Sequence, residues 1–201
     1  MAAASDVLSF WFEDAARSPE ALQCRSAVWF RADPAFDQEC ATRFAASLED
    51  AARGGLAGWA GTPQGRLALV ILLDQMPRNI HRGSPAAFMH DAQAASHCIA
   101  GIESGQDRSL HPVERIFLYM PLQHAEDLGL QRRSVVQFES LAADADDTWR
   151  EYFAENVHYA CEHHDIIERF GRFPHRNRIL GRESTEEELA YLADGAPSFG
   201  Q

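Results

Sequence analysis

Four times in this chain a Ser, Asp or Thr stands immediately before a proline, at Ser18-Pro19, Asp33-Pro34, Thr62-Pro63 and Ser84-Pro85, and His111-Pro112 marks a further start of the same kind. Proline suits the first helical position, because its φ is already near the helical value and the N–H it lacks would have no partner there. The residue before it offers a side-chain acceptor to the next unpaired amide. A chain punctuated in this way has room for helices on short connectors and for little else.

The apolar spacing between these signals agrees. Ser5 can cap a first helix carrying Val7, Leu8, Phe10, Trp11 and Phe12. A second runs from Ser18 through Leu22 and Val28 to Trp29-Phe30. After Pro34 the residues Phe36, Cys40, Phe44 and Leu48 recur on one face until Gly54-Gly55. The run from Leu67 to Leu73 is apolar all round, which marks a central helix. Ser84-Pro85 opens a helix through Phe88, Ala92, Ala95 and Ile99, and His111-Pro112 opens a short one that Pro121 stops. Another helix passes through Leu130, Val135, Phe138 and Leu141. The longest is expected from about Asp147 to Phe170, with Trp149, Phe153, Asn156, Ala160, His163 and Ile167 on its stripe. Ser184-Thr185-Glu186-Glu187 reads as a capping box for a last helix carrying Leu189 and Leu192. Strand signals are absent. The expected fold is all-α, an antiparallel helical stack in one domain over residues 1–201, with a loose tail from about 195.

Composition narrows the function. A formal net charge of -12 opposes nonspecific nucleic-acid binding and docking on an anionic membrane. No apolar run approaches the roughly 18 residues of a membrane span, and the N-terminus lacks the basic and apolar regions of a signal peptide. Cys24, Cys40, Cys98 and Cys161 are scattered without C-x-x-C pairing, so reduced, buried cysteines in a cytoplasmic protein are expected. Every basic residue is arginine, which removes lysine nucleophiles and Schiff bases. Neither phosphate-loop nor dinucleotide glycine patterns appear, so no cofactor is expected. His163 and His164 are consecutive and point about 100° apart on a helix, which makes joint metal chelation awkward, and no metal is expected.

Three polar blocks lie at proline breaks beside apolar helices: Asp74 to Asn79, Pro121 to Asp127, and Arg169 to Arg182. His163 and Asn156 add polar groups to the apolar face of the longest helix, where they need partners. Arginine forks match carboxylate or phosphate, and histidine moves protons near neutrality. The pattern therefore points to a cleft that binds a small anionic ligand. His124, His175 and Glu126 are the candidate acid–base residues, and Asp74, Arg78, His163, Arg172, Arg176 and Asn177 the ligand-binding ones. The competing readings keep these blocks structural, as buried ion pairs clamping helix breaks, within a helical-repeat module that takes a peptide or partner helix in its groove.

The same blocks carry a family resemblance. Val7-Leu8-Ser9-Phe10-Trp11-Phe12, Leu73-Asp74-Gln75-Met76-Pro77-Arg78-Asn79 with Arg82-Gly83, Tyr119 through Asp127, and His163 through Asn177 followed by Ile179-Leu180-Gly181-Arg182 resemble the bacterial domain of unknown function 924 family over nearly the whole chain. His81 and Ala125 are small departures from its pattern. The resemblance implies an all-helical, tetratricopeptide-like architecture in a soluble bacterial protein and implies no activity.

Overall fold

A computed structural model of the protein describes residues 2–197 and Phe199. It is all-helical, with no strand among the described residues. In chain order the α-helices are α1 (Ala4–Phe12), α2 (Pro19–Phe30), α3 (Pro34–Ala52), α4 (Pro63–Val70), α5 (Met76–Ile80), α6 (Asp91–Glu103), α7 (Pro112–His124), α8 (Leu128–Ala143), α9 (Arg150–Phe170) and α10 (Glu186–Ala193). Among the described residues no helix is long and apolar enough to cross a membrane.

The cap–proline signals act as their chemistry dictates. Ser18 accepts from the amide of Ala21, Asp33 from Ala35 and Thr62 from Gly65, while His111 accepts from Val113 as Glu114 returns the bond to the His111 amide. Several boundaries differ from the sequence reading. Ser5 lies inside α1, which starts where Asp6 accepts from the amide of Ala3. Ser84-Pro85 opens only a 3-10 turn, Pro85–Phe88, and α6 begins after it. Pro121 does not stop α7. It costs the helix one amide donor in its last turn, and the buried neighbours Leu118, Tyr119 and Leu122 hold that turn in place. The box before α10 pairs Thr185 with Glu188, and Leu189 is 56% exposed. Of the cysteines only Cys40 and Cys98 are buried, whereas Cys24 is exposed. Burial pushes the Cys40 thiol up to about 12, which keeps it protonated and unreactive.

The core forms around α4, whose continuation Leu67–Leu73 is buried throughout. Trp11, Trp29 and Phe117 interlock beside it, with Trp29 and Phe117 rings 4.5 Å apart and steeply tilted, a favoured geometry for aromatic pairs. Short loops fold α8 back on α7 and α9 back on α8. A second, smaller apolar cluster, Ile166, Ile167 and Phe173, seats the chain that follows α9. That helix ends before Pro174 is reached. Gly171 adopts φ +68°, a left-handed cap that glycine takes without steric penalty, and its amide donates to Ile167.

Candidate functional site

The polar centre of the molecule is set by an irregularity in its central helix. Between α4 and α5 the residues Ile71–Gln75 form a π-helical turn, in which the Met76 amide reaches back five residues to Ile71. Pro77 follows at once, and its missing N–H deprives the preceding turn of a regular donor. The wider turn leaves both Asp74 and Gln75 buried. Such turns occur often at functional sites.

Asp74 faces the last turn of α7. Its carboxylate lies 2.8 and 3.0 Å from His124 Nδ1 and accepts 2.6 Å from the Gln75 side chain. A carboxylate can only accept here, so Nδ1 carries the proton and the lone pair of His124 is on Nε2, to which no described residue hydrogen-bonds. His163 of α9 repeats the arrangement. Its Nδ1 lies 2.7 Å from the carbonyl oxygen of Tyr159, again acceptor-only, which places the lone pair on Nε2. The Gln123 amide nitrogen lies 3.1 Å from that same Nδ1 and, with the proton there, does not donate to it. The two imidazole rings are 6.4 Å apart.

Arg78 locks the aspartate from below. It donates to the Asp74 carbonyl at 2.7 Å and forms a two-pronged pair with Asp91 at 2.8 and 2.9 Å. Its Nε–H is buried and no described residue accepts it. Arg176 lies behind His124, donating to its carbonyl oxygen at 3.0 Å with its guanidinium 4.7 and 4.4 Å from the Phe88 and Phe173 rings. Among the described residues, two arginines thus face two aspartates, Asp74 and Asp91, and their charges balance.

This balance tunes the site. Burial and the adjacent Arg78 charge push His124 below its ordinary value. Burial, then His124, push His163 down to about 3. Burial alone would raise the Asp74 carboxyl, but Arg78 and His124 outweigh it and hold it below the usual carboxylate range. Burial, with Arg78 next, lowers Arg176 to about 10. At neutral pH the site presents two neutral imidazoles beside an ionised aspartate.

Both imidazoles line a cleft of about 380 Å³ between α2, α5, α7 and α9. Arg78, Asn79, Arg82 and Gln123 contribute polar groups, and Trp29, Phe30, Tyr152 and Tyr159 form much of the remaining wall. Arg82 pairs with Asp37 at 2.7 and 2.9 Å, and Asn156 donates to the Tyr152 carbonyl.

Of the residues singled out from sequence, Asp74, Arg78, His124 and His163 therefore meet in one place. Arg176 supports it from behind and lines a separate open groove with Phe88, Glu126 and Leu180. His175 lies one layer away, against the Phe173 and Phe199 rings. Glu126, Arg172 and Asn177 are engaged elsewhere. Glu126 accepts from the Phe173 amide and from both arms of Arg182. Arg172 grips Glu188 at 2.6 and 2.7 Å, and Asn177 ties Ser184 and Glu188 to Arg182. Asp91 and Tyr159 belong to the site although the sequence reading passed over them. Asp91 is an acidic residue in a first helical turn, a common placing without chemistry attached. His164, Asp165 and Glu168 bring donor atoms within 4.8 Å of one another on α9, with Asp165 and Glu168 exposed.

A family model described as "Bacterial protein of unknown function (DUF924)" matches residues 7–196. A solved structure of a protein of unknown function from Agrobacterium tumefaciens is similar at 38% identity and a TM-score of 0.81, over 96% of this chain and 97% of that one. No curated protein matches the chain.

Proposed function

The chain belongs to the DUF924 family, and we propose that its central cleft binds a small anionic ligand and removes a proton from it, with His124 as the base. The observation that carries this reading is the 2.8 Å bond between Asp74 and His124 Nδ1. A carboxylate in that position holds one tautomer, aims Nε2 at a ligand and stabilises the imidazolium that forms when the proton is taken up. Because burial and Arg78 keep His124 neutral, it acts as a base and not as an acid in its resting state. Arg78 and Arg82, paired with Asp91 and Asp37, line the same wall and supply the positive charge that faces the ligand's anionic group. Arg172 and Arg176 stand outside this anion site. A cytoplasmic setting fits the exposed Cys24 thiol.

The test is a thermal-shift screen of carboxylates and phosphate esters, followed by deuterium uptake from heavy water into any ligand found. At least one anion should raise the melting temperature, as binding to the folded state must. Wild type should exchange an acidic C–H of that ligand, and His124→Asn, which keeps a donor for Asp74, should bind but not exchange. No stabilising anion, or equal exchange by His124→Asn, overturns the reading. A helical interaction module is the second reading, favoured by the open groove at Phe88 and Leu180, where Met89 is 69% exposed.

A further inference from the structure

Phe199 comes from beyond the last helix, yet its ring forms part of the wall of the cleft. Its centroid is 3.7 Å from that of His163 with 30° between the planes, and 5.7 Å from that of His175. Gly195, at φ +80°, turns the chain away from α10 toward this position. The two rings are in close, tilted contact, and an aryl or heteroaryl ring of similar size can make the same contact with a neutral imidazole.

The rest of the cleft favours the same partner. Buried Trp29 and half-buried Tyr152 line it together with Phe30 and Tyr159, which are 49% and 43% exposed. Large aromatic groups gathered exposed at one opening mark a surface that something else covers. A ring on His163 also lies close to the base, since the His163 and His124 rings are 6.4 Å apart. A substituent one or two bonds off such a ring reaches His124 Nε2.

We propose that Phe199 occupies in cis a subsite for a flat ring, so that the ligand of this cleft carries an aromatic ring joined to its anionic group and must displace Phe199 to stack on His163. The inference rests on the anion-binding reading and names the ligand class within it. Phe199 then competes with the ligand.

Titration calorimetry with benzoate, phenylacetate and acetate against wild type, Phe199→Ala and Phe199→Trp tests it. The two arylcarboxylates should bind Phe199→Ala roughly three- to tenfold more tightly than wild type, the range expected of one aromatic contact. Acetate should bind both alike, and Phe199→Trp, which keeps a ring, should show no gain. A melting curve for Phe199→Ala close to that of wild type establishes that the variant is folded. An equal gain for acetate, or weaker arylcarboxylate binding by Phe199→Ala, overturns the proposal, the latter because Phe199 would then be a wall of the ligand's own site. If other anions stabilise the protein while no arylcarboxylate binds any variant, the ring subsite fails and the anion cleft stands. If no anion binds at all, both fall.

Discussion

The clamp that fastens the Phe173–Arg182 turn to α10 and the cleft around Asp74 and His124 draw on the same side chains, carboxylates with arginine and amide partners. In the clamp both carboxylates close on protein. Glu188 accepts both prongs of Arg172 and the Thr185 amide, and Glu126 takes both prongs of Arg182 and the Phe173 amide. Around Asp74 the bonding stops short. His124 and His163 each spend Nδ1 on a fixed acceptor and line the cleft with an Nε2 that no described residue binds, and Arg78 keeps one buried donor that no described residue accepts. The density of polar residues is similar in both. What separates a candidate site from a strut is where the hydrogen-bonding capacity is left incomplete next to open volume.

That contrast can be broken by mutation. The largest effect should come from Asp74→Ala, which leaves His124 without its acceptor and takes one of two carboxylates away from Arg78 in a fully buried position. Removing one partner of a buried pair costs about 3–5 kcal/mol, read by denaturant unfolding, and a loss below about 1 kcal/mol would mean that water or relaxation replaces the aspartate. Glu188→Ala should come next, at about 2 kcal/mol, from one lost helix cap together with hydrogen bonds to a charged partner. Ligand-induced stabilisation should survive it unchanged, because Glu188 serves only the clamp. A lost thermal shift in Glu188→Ala would merge the two regions into one.

The third effect is a pH dependence. His163 is held neutral, with its value lowered to about 3 by burial and by His124, whereas in the unfolded chain it protonates near 6.5. The unfolded state therefore binds more protons below pH 6.5, and stability falls as acid is added through that window down to about 3. Between pH 6.5 and 5.5 the loss should be about 1 kcal/mol from this group, and His163→Gln should reduce the slope by that amount, leaving the part due to His124, which is also held below its ordinary value. Asp74, whose carboxyl is held low, contributes stability that is lost only below the ordinary carboxylate range, so it does not blur the test. The smallest effect should be that of Leu189→Glu, within about 0.5 kcal/mol, because α10 is held by Glu188 and Leu189 faces solvent.

Much of the fold was legible before any coordinate. Ser18, Asp33 and Thr62 cap helices through bonds confined to neighbouring residues, and such local chemistry reads directly from spacing. The errors fall where tertiary packing overrides it. Pro121 should end a helix, but one missing amide bond is outweighed by three buried neighbours in the same turn. Leu189 should be core by its type, but whether an apolar side chain is covered depends on what lies opposite.

The sequence alone determined an all-helical chain with its central apolar run at Leu67–Leu73, and it located the three polar blocks from which both clamp and cleft are made. Only the tertiary structure decided which polar residue belongs to which. Asp74 meets His124 across 50 residues, Arg182 meets Glu126 across 56, and Arg78 finds Asp91 at the start of another helix. Partners at such separations are chosen by how the helices pack, and the choice turns on a π-helical turn and a few ångströms that no residue spacing encodes. The same packing that closes one cluster on itself leaves the other open to a ligand.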